Sequence, residues 1–186
     1  MKPTLGILGS GKGSNLEAIY HAIGQRKLEA EIKIVISDVK ESGFLQKAKR
    51  FNLPEFWLES EGFECKALAL LQKYQVDLVI LAGFRRILSA SFLKVFPNRI
   101  LNLHPSLLPK YPGKKAWEKA LENKDKETGC TVHLVTEHID QGQILGQRKV
   151  SILPGDTAES LYKRIQDQEH QLYADVIKQY WRNFNS

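Results

Sequence analysis

The stretch LNLHPSLLPKYPG, residues 101–113, places an asparagine and a histidine at the end of an apolar run. One residue separates Asn102 from His104, and because side chains alternate along a strand, both are expected on the same face. An asparagine amide can donate to a developing oxyanion, and a histidine can exchange a proton near neutral pH. The three prolines that follow restrict the exit of the chain. The pair is typical of acyl or formyl transfer.

A carboxylate further along the chain is the candidate third member of this group. Asp140 lies in the loop HIDQG between two expected strands. Taken alone it is typical of an ordinary turn aspartate, and it gains a catalytic role only if it contacts His104. Such a contact would raise the pKa of the histidine and keep the ring protonated.

The segment GSGKGSN, residues 9–15, lies between an expected strand and an expected helix. Glycines let the backbone approach a ligand, and a helix N-terminus offers free N–H groups to an anion. Two nucleotide motifs match only in part, because Gly13 stands where a P-loop needs serine or threonine and Ser14 replaces the last glycine of the dinucleotide fingerprint. Asp38, at the end of the second expected strand, could still act as a ribose-binding acid. The segment predicts a phosphate cradle of unspecified type, against the alternative of a tight turn without a ligand.

Another carboxylate falls on the apolar face of the last expected helix. Glu169 follows Ile165 by four residues and precedes Leu172 by three, so it shares their face. A lone carboxylate there is costly unless it is paired or binds a ligand. A substrate amine or hydroxyl is one possible partner, and a core arginine is the other.

The elements that must position these residues alternate between short apolar runs and helical patterns. The expected strands are 4–8, 32–37, 77–82, 100–103, 131–136 and 143–152. The expected helices are 15–23, 43–51, 67–74, 91–96, 116–122 and 156–183. The pattern indicates βαβ units in a Rossmann-like, mostly parallel, twisted sheet flanked by helices, with an antiparallel extension after residue 113. Asp156 and Glu159 are the expected capping pair of the long C-terminal helix.

Composition and charge narrow the class of protein. The 186 residues, 42% apolar, suit one domain that can bury a core. The formal charge of +6 suggests an anionic partner, such as nucleic acid, a phosphorylated metabolite or a polyglutamate tail, or else a solvated basic surface. Cys65 and Cys130 form no Cys-x-x-Cys pair, which argues against a zinc site or a disulfide scaffold. Without a signal-like start or a long apolar run, the expected location is cytoplasmic.

The remaining histidines show no metal-ligand spacing and are interpreted as structural. They are His21, His133, His138 and His170.

Five segments match one known family in order: GSGKGSNLEAI, LAGFRRIL, LNLHPSLLPKYPG, TVHLVTEHIDQGQIL and QDQEH. They resemble the phosphoribosylglycinamide formyltransferase family, the folate-dependent transformylases of purine synthesis. HPSLLP alone is shared with related formyltransferases, whereas the glycine turn together with QDQEH is more specific. The resemblance implies a single formyltransferase domain over residues 1–186, with a nucleotide-binding half at 1–100 and a folate-binding and catalytic half at 101–186.

The resemblance also implies roles for individual residues. The phosphate of glycinamide ribonucleotide would be held by Gly13, Ser14 and Asn15. The sugar and amine of that substrate would contact Gln166, Asp167, Gln168 and Glu169. The co-substrate 10-formyltetrahydrofolate would be bound by Arg85, Arg86, Ile87, Leu88, Asn102, Thr136, Glu137, His138, Ile139 and Asp140. The catalytic residues would be Asn102, His104 and Asp140.

The implied reaction is direct attack of the substrate amine on the formyl carbon. Asn102 and a protonated His104 would stabilise the tetrahedral oxyanion, and Asp140 would keep His104 charged. The implied partners are these two small molecules, with no metal, nucleic acid or membrane, in a monomer or homodimer. Two positions depart from the family pattern: Lys115 stands where many members carry histidine, and Lys66 is the nearest counterpart of a family arginine.

Three other functions share part of this pattern. A formyltetrahydrofolate hydrolase uses a similar residue set with water as acceptor, but it normally carries an N-terminal regulatory domain before the first strand. A methionyl-tRNA formyltransferase would need an added basic C-terminal domain. A non-catalytic nucleotide-binding module would bind a dinucleotide without turnover, which a titration with NAD followed by tryptophan fluorescence would detect.

Overall fold

A computed structural model describes residues 2–184 of the chain. The strands are β1 Thr4–Leu8, β2 Glu31–Ser37, β3 Glu55–Trp57, β4 Leu78–Leu81, β5 Ile100–His104, β6 Glu127–Leu134 and β7 Ile144–Ser151. The helices are α1 Ser14–Gly24, α2 Gly43–Arg50, α3 Phe63–Lys73, α4 Ala90–Val95, α5 Ala116–Glu122 and α6 Ala158–Phe184. None of the helices within residues 2–184 combines the length and the apolar character that crossing a bilayer requires.

The strands form one sheet in the order β3-β2-β1-β4-β5-β6-β7. β1 pairs in parallel with β2 and β4, β2 with β3, and β4 with β5, whereas β6 runs antiparallel to both β5 and β7. The chain order reverses between β1 and β4, and the carboxyl ends of strands at such a reversal border a ligand-binding crevice. The predicted mostly parallel sheet with an antiparallel extension and a long C-terminal helix is confirmed.

Helices cover both faces of this sheet. α1, α2 and α6 bury Ile7 and Leu101 on one face, and α3 and α4 bury Val79 on the other. Because side chains alternate along β5, Asn102 and His104 lie on the face that α3 and α4 partly cover. The fold therefore presents the two candidate catalytic residues together at the end of one strand.

Three elements differ from the sequence prediction. The strand β3 was not predicted, because three residues are too few to show alternation. α3 begins at Phe63 rather than Ala67, and β6 begins at Glu127 rather than Thr131. In both cases the added residues mix apolar with polar or glycine residues, so apolar periodicity does not reveal them.

The start of α6 is capped by a different pair from the predicted one. Thr157 Oγ1 accepts from the N–H of Ser160 at 3.1 Å, and Ser160 Oγ accepts from the N–H of Thr157 at 3.0 Å. This reciprocal pattern is a capping box. Asp156 instead binds the guanidinium of Arg164 at 2.8 Å. The predicted pairing of Asp156 with Glu159 is therefore wrong by one residue at each position.

Candidate active site

A largely buried polar cluster lies on the sheet at the end of β5, and it consists of Asn102, His104, His133 and Asp140. Asn102 and His133 stand opposite each other in the β5–β6 ladder, with 3.1 Å between Nδ2 and Nε2. Asp140 contacts both histidines, with Oδ2 3.3 Å from Nδ1 of His104 and Oδ1 3.4 Å from Nε2 of His133. The structure thus brings Asp140 to His104, the contact on which its catalytic role depends.

His133, interpreted from the sequence as structural, lies between Asn102 and Asp140. Its Nδ1 is 2.8 Å from the carbonyl oxygen of Leu134, which can only accept, so Nδ1 carries the hydrogen. In the neutral ring Nε2 is then an acceptor for the Asn102 amide. Sequence reasoning missed His133 because its position depends on the register of β5 against β6. The available signal was a histidine inside the apolar run TVHLV.

Backbone contacts hold Asp140 in place. Asp140 adopts φ 54, a left-handed conformation that aspartate tolerates better than most residues. Its Oδ2 accepts from the N–H of Gly113 at 2.8 Å. The carboxylate therefore ties the loop between β6 and β7 to the end of the proline-rich segment.

Hydrogen bonds, in addition to the prolines, fix the segment that follows β5. The hydroxyl of Thr131 accepts from the N–H of Leu108 at 3.1 Å and donates to the carbonyl of Ser106 at 2.6 Å. The carbonyl of Tyr111 then lies 2.8 Å from Nε2 of His104. Because a carbonyl can only accept, Nε2 carries a hydrogen and Nδ1 faces Asp140.

Burial and hydrogen bonds set the protonation of this cluster. Burial lowers the pKa of His104, and the Tyr111 carbonyl and the Asp140 charge offset that only in part. Burial alone would raise the pKa of Asp140, but its contact with His133 and the hydrogen bond from the Gly113 N–H outweigh burial, and the pKa is lowered. Asp140 acts on the pKa of His104 in the expected direction, but desolvation of the ring is the larger effect, so the pKa lies below its ordinary value.

Residues 9–15 form the turn between β1 and α1. Gly13 is the N-cap of α1 with φ 77 and no side-chain cap hydrogen bond, which leaves the first N–H groups of the helix to an anion. A Cβ atom at position 13 would lie 2.8 Å from Cα of Phe44, so only glycine permits this close packing of α2. The N–H of Ser10 donates to the carbonyl of Gly83 at 3.2 Å, which joins the turn to the loop after β4.

Helix α6 brings Gln166 and Glu169 to the same turn. Gln166 Nε2 donates to Oγ of Ser14 at 3.4 Å, and Asn15 Nδ2 donates to Oε2 of Glu169 at 3.3 Å. The partner of Glu169 is thus Asn15 rather than a core arginine. Burial raises the pKa of Glu169 to about 7, against the effect of the Asn15 hydrogen bond. Oδ1 of Asn15 is buried without a hydrogen-bond partner, so this corner is suited to a polar ligand.

The two residues between Gln166 and Glu169 lie elsewhere on the helix. Gln168 Oε1 accepts from Nη1 of Arg148 in β7 at 3.4 Å, and Asp167 is exposed. Residues three apart share a helix face, whereas adjacent residues do not. The structure therefore brings Gln166 and Glu169 to the turn, but not Asp167 or Gln168.

The two loops expected to line the folate site expose large apolar side chains. Ile87 is 71% exposed and Ile139 is 51% exposed. Leu88 is buried, and the guanidinium of Arg86 lies 4.8 Å from the ring centre of Phe63. The other expected members are exposed, namely Arg85, Thr136, Glu137 and His138.

The lysines at the two departures from the family pattern lie in surface ion pairs. Lys115 Nζ is 2.9 Å from Glu118, and Lys66 Nζ is 2.8 Å from Glu59. Both lysines are exposed. Their contacts place them outside the buried cluster.

Asp38, the candidate ribose acid, lies at the end of β2 and has one buried carboxylate oxygen without a hydrogen-bond partner. Over residues 2–184, no group of three or more His, Cys, Asp or Glu side chains is arranged to hold a metal ion.

Known proteins share both the sequence and the fold of this chain. Residues 5–177 match the formyl transferase family. The chain is 38% identical over 177 residues to the phosphoribosylglycinamide formyltransferase of Escherichia coli K12, which covers 92% of this chain and 84% of that protein. The chain belongs to the phosphoribosylglycinamide formyltransferase family. The crystal structure of glycinamide ribonucleotide transformylase 1 from Symbiobacterium toebii superposes with a TM-score of 0.95 at 39% identity, over 98% of this chain and 89% of that one.

The same fold occurs in a formyltetrahydrofolate deformylase. The enzyme from Pseudomonas syringae superposes with a TM-score of 0.92 at 23% identity, over 98% of this chain and 62% of that one. At this identity the likeness concerns the fold alone. Membership of the formyltransferase family therefore rests on the sequence identity to the transferases.

Proposed function

We propose that this chain transfers the formyl group of 10-formyltetrahydrofolate to the amine of glycinamide ribonucleotide in purine synthesis. The observation that carries the proposal is the cluster of Asn102, His104 and Asp140 on the same sheet as a turn suited to an anion. The turn follows β1 and the cluster ends β5, two strands away, which is roughly 10 Å at the usual strand spacing. A nucleotide bound with its phosphate in the turn can reach the cluster with a group carried on its ribose.

The turn and α6 would bind the ribonucleotide. Gly13, Ser14 and Asn15 hold its phosphate through the N-terminal N–H groups of α1. Gln166 and Glu169 contact its sugar from the adjacent helix. A sugar hydroxyl donating to Glu169 supplies the buried carboxylate with a second hydrogen bond, which offsets part of its desolvation.

The folate would lie against the loops after β4 and β6. These loops provide Arg85 to Leu88 and Thr136 to Asp140, with Asn102 at their junction. The exposed side chains of Ile87 and Ile139 give an aromatic ligand two apolar contacts. Arg86 offers a guanidinium for a carboxylate of the folate tail.

The two amide hydrogens of Asn102 explain how the cluster can stabilise an oxyanion. One hydrogen points to Nε2 of His133, and the second remains for the oxygen of the formyl group. His133 therefore orients the amide with its donor side towards the reaction. The developing negative charge also raises the pKa of His104, which favours protonation of the ring as the intermediate forms.

The proton balance runs through His104 and Asp140. The substrate amine forms a bond to the formyl carbon and loses a proton, while the bond from that carbon to the folate nitrogen breaks and the nitrogen gains a proton. Nδ1 of His104, which lies 3.3 Å from Oδ2 of Asp140, takes the proton lost by the amine and passes it to the folate nitrogen. The sequence of steps requires no metal.

The basic charge of the chain fits these substrates. Its formal charge of +6 attracts a phosphate ester and a folate tail that ends in carboxylates. We place the enzyme in the cytoplasm, acting on small molecules without a nucleic-acid or membrane partner.

The decisive assay follows folate absorbance with 10-formyltetrahydrofolate, with and without glycinamide ribonucleotide. Deformylation only in the presence of the ribonucleotide is the expected result. Equal deformylation in its absence would assign a hydrolase instead. No turnover in either cuvette would leave a binding module, which a titration with NAD would then test.

A further inference from the structure

The residues proposed to hold the substrate phosphate carry no full positive charge. Gly13, Ser14 and Asn15 offer backbone N–H groups, a hydroxyl and an amide, and the helix dipole adds a partial charge only. A phosphate monoester carries close to two negative charges at neutral pH. A cation close to the turn would complete the site.

Lys47 of α2 lies directly against this turn. A Cβ atom at Gly13 would be 3.3 Å from Cδ of Lys47, and Nζ is two bonds further along the side chain. The side chain of Lys47 is only 24% exposed, so its charge is less screened by solvent than that of a surface lysine. Lys12, within the turn itself, is exposed.

In the structure the ammonium of Lys47 is paired with Glu17, which stands in the first turn of α1. Lys47 Nζ donates to Oε2 of Glu17, and Arg50 donates to the other carboxylate oxygen. The hydrogen bond from Lys47 is the largest cause that lowers the pKa of Glu17, which is therefore ionised at neutral pH. Because Arg50 also binds this carboxylate, Glu17 keeps a cationic partner if Lys47 turns away.

Helix α6 also contacts the turn. His170 lies one turn after Gln166, on the face that contacts α1, and the charges of Lys47 and Glu17 both act on its pKa. Its Nε2 is buried without a hydrogen-bond partner. A buried polar atom left unpaired on the helix that contacts the turn is a second sign that this corner accommodates a polar ligand.

We propose that Lys47 is a substrate-phosphate residue, whose ammonium exchanges Glu17 for a phosphate oxygen when the ribonucleotide binds. The inference depends on the proposed function for the identity of the phosphate ester. Because the exchange replaces one ion pair with another, its free-energy cost is small compared with the free energy gained from the charge-assisted hydrogen bond to the phosphate.

Steady-state kinetics of Lys47→Met, Lys47→Arg and Lys49→Met test this role. Lys49 lies on the same helix and is exposed, so it is the matched control. Lys47→Met raises KM for glycinamide ribonucleotide roughly tenfold to a hundredfold, with kcat within about twofold. Lys47→Arg restores most of the affinity, and Lys49→Met behaves as the wild type. An unchanged KM in Lys47→Met, or the same loss in Lys49→Met, overturns the proposal.

A substrate without the phosphate, glycinamide riboside, separates binding from folding. Lys47→Met leaves kcat/KM for the riboside at the wild-type value, because the lost contact is to the phosphate. An equal loss on both substrates means that Lys47 only supports the turn, which contradicts the proposal. A KM increase in Lys12→Met that Lys47→Met lacks would assign the counter-charge to Lys12 instead.

Inorganic phosphate provides a probe that does not require turnover. Phosphate raises the Tm of the wild type and of Lys49→Met, and this increase is lost in Lys47→Met. A wild type that shows this behaviour but transfers no formyl group would refute the proposed function and leave the role of Lys47 intact. If the wild type transfers formyl and phosphate raises the Tm of Lys47→Met as it does that of the wild type, the role of Lys47 is refuted and the proposed function stands.

Discussion

The catalytic cluster and the phosphate turn differ in how far the protein satisfies its own polar groups. In the cluster, both ring nitrogens of His104 and of His133 contact protein atoms, and Asp140 has three polar neighbours. At the turn and on helix α6, which contacts it, Asn15 and His170 each have a buried polar atom without a partner. The histidines and Asp140 of the cluster thus find their polar partners within the chain, whereas Asn15 and His170 do not.

This difference separates two requirements of an enzyme. Stabilising a transition state needs donors that are already oriented before the charge develops. Substrate affinity increases when the free protein has buried polar groups without hydrogen-bond partners, because the ligand supplies the missing hydrogen bonds. On the proposed function, we therefore expect the cluster to set the rate of the chemical step, and the turn and α6 to set affinity for the ribonucleotide.

Removing the oriented donor has the largest expected effect. Asn102→Ala deletes the amide that meets the oxyanion, and we expect kcat to fall roughly 10²- to 10³-fold. Urea unfolding of the variant, run beside the kinetics, shows whether the fold is retained. A folded Asn102→Ala protein with near-normal turnover would mean that the cluster does not bind the oxyanion.

Replacing the buried carboxyl at the turn changes the pH dependence of stability. A carboxyl whose pKa is raised on folding, here from 4.5 to about 7 for Glu169, contributes stability below the lower value that is lost as pH rises through the higher one. The wild type should lose about 3 kcal/mol of unfolding free energy over this interval, up to pH 8, that Glu169→Gln does not lose. Urea titrations of both proteins at pH 4.5 and 8 measure the difference. Parallel stability curves would contradict the burial of this carboxyl without a cationic partner.

Loosening the orientation of Asn102 should have a smaller effect than deleting it. His133→Gln removes the ring that holds the amide, and residues that orient a catalytic group typically contribute about 10- to 100-fold. We expect kcat to fall within that range with little change in KM for the ribonucleotide. His21→Gln, at an exposed position on α1, is the control. A change in KM alone would place His133 with the binding region.

Two glycines of the turn test whether its shape depends on packing. An alanine at position 13 would have to adopt φ 77, and its Cβ would lie 2.8 Å from Cα of Phe44. A Cβ at Gly11 would have no atom within 4 Å. Gly13→Ala should lose about 1–3 kcal/mol of stability and raise KM. Gly11→Ala should stay within about 0.5 kcal/mol of the wild type. Equal effects of the two substitutions would show that close packing against α2 is unimportant.

Apolar periodicity in the sequence correctly predicted the features that depend only on the geometry of a single strand or helix. Alternation placed Asn102 and His104 on one face, and helical spacing placed Glu169 among buried residues, both as the structure has them. His133 was missed because opposite residues in an antiparallel ladder depend on register, which the order of residues in β6 does not specify.

Local sequence patterns also could not predict the contacts between distant elements or the pKa shifts that those contacts cause. The pKa of His104 followed burial rather than the neighbouring Asp140, and the depth of burial follows from tertiary packing. The contact of Lys47 with the turn depends on how α2 packs against α1. The sequence motif QDQE suggested one binding unit, but helical geometry separates Gln166 and Glu169 from the residues between them.

The division between chemistry and binding is tested most directly by calorimetric titration of Asn102→Ala with glycinamide ribonucleotide. A Kd within about twofold of the wild-type value, in a protein whose turnover has fallen at least about 100-fold, is the predicted result. A loss of affinity that parallels the loss of turnover would show that the two regions act as one site and would contradict this account.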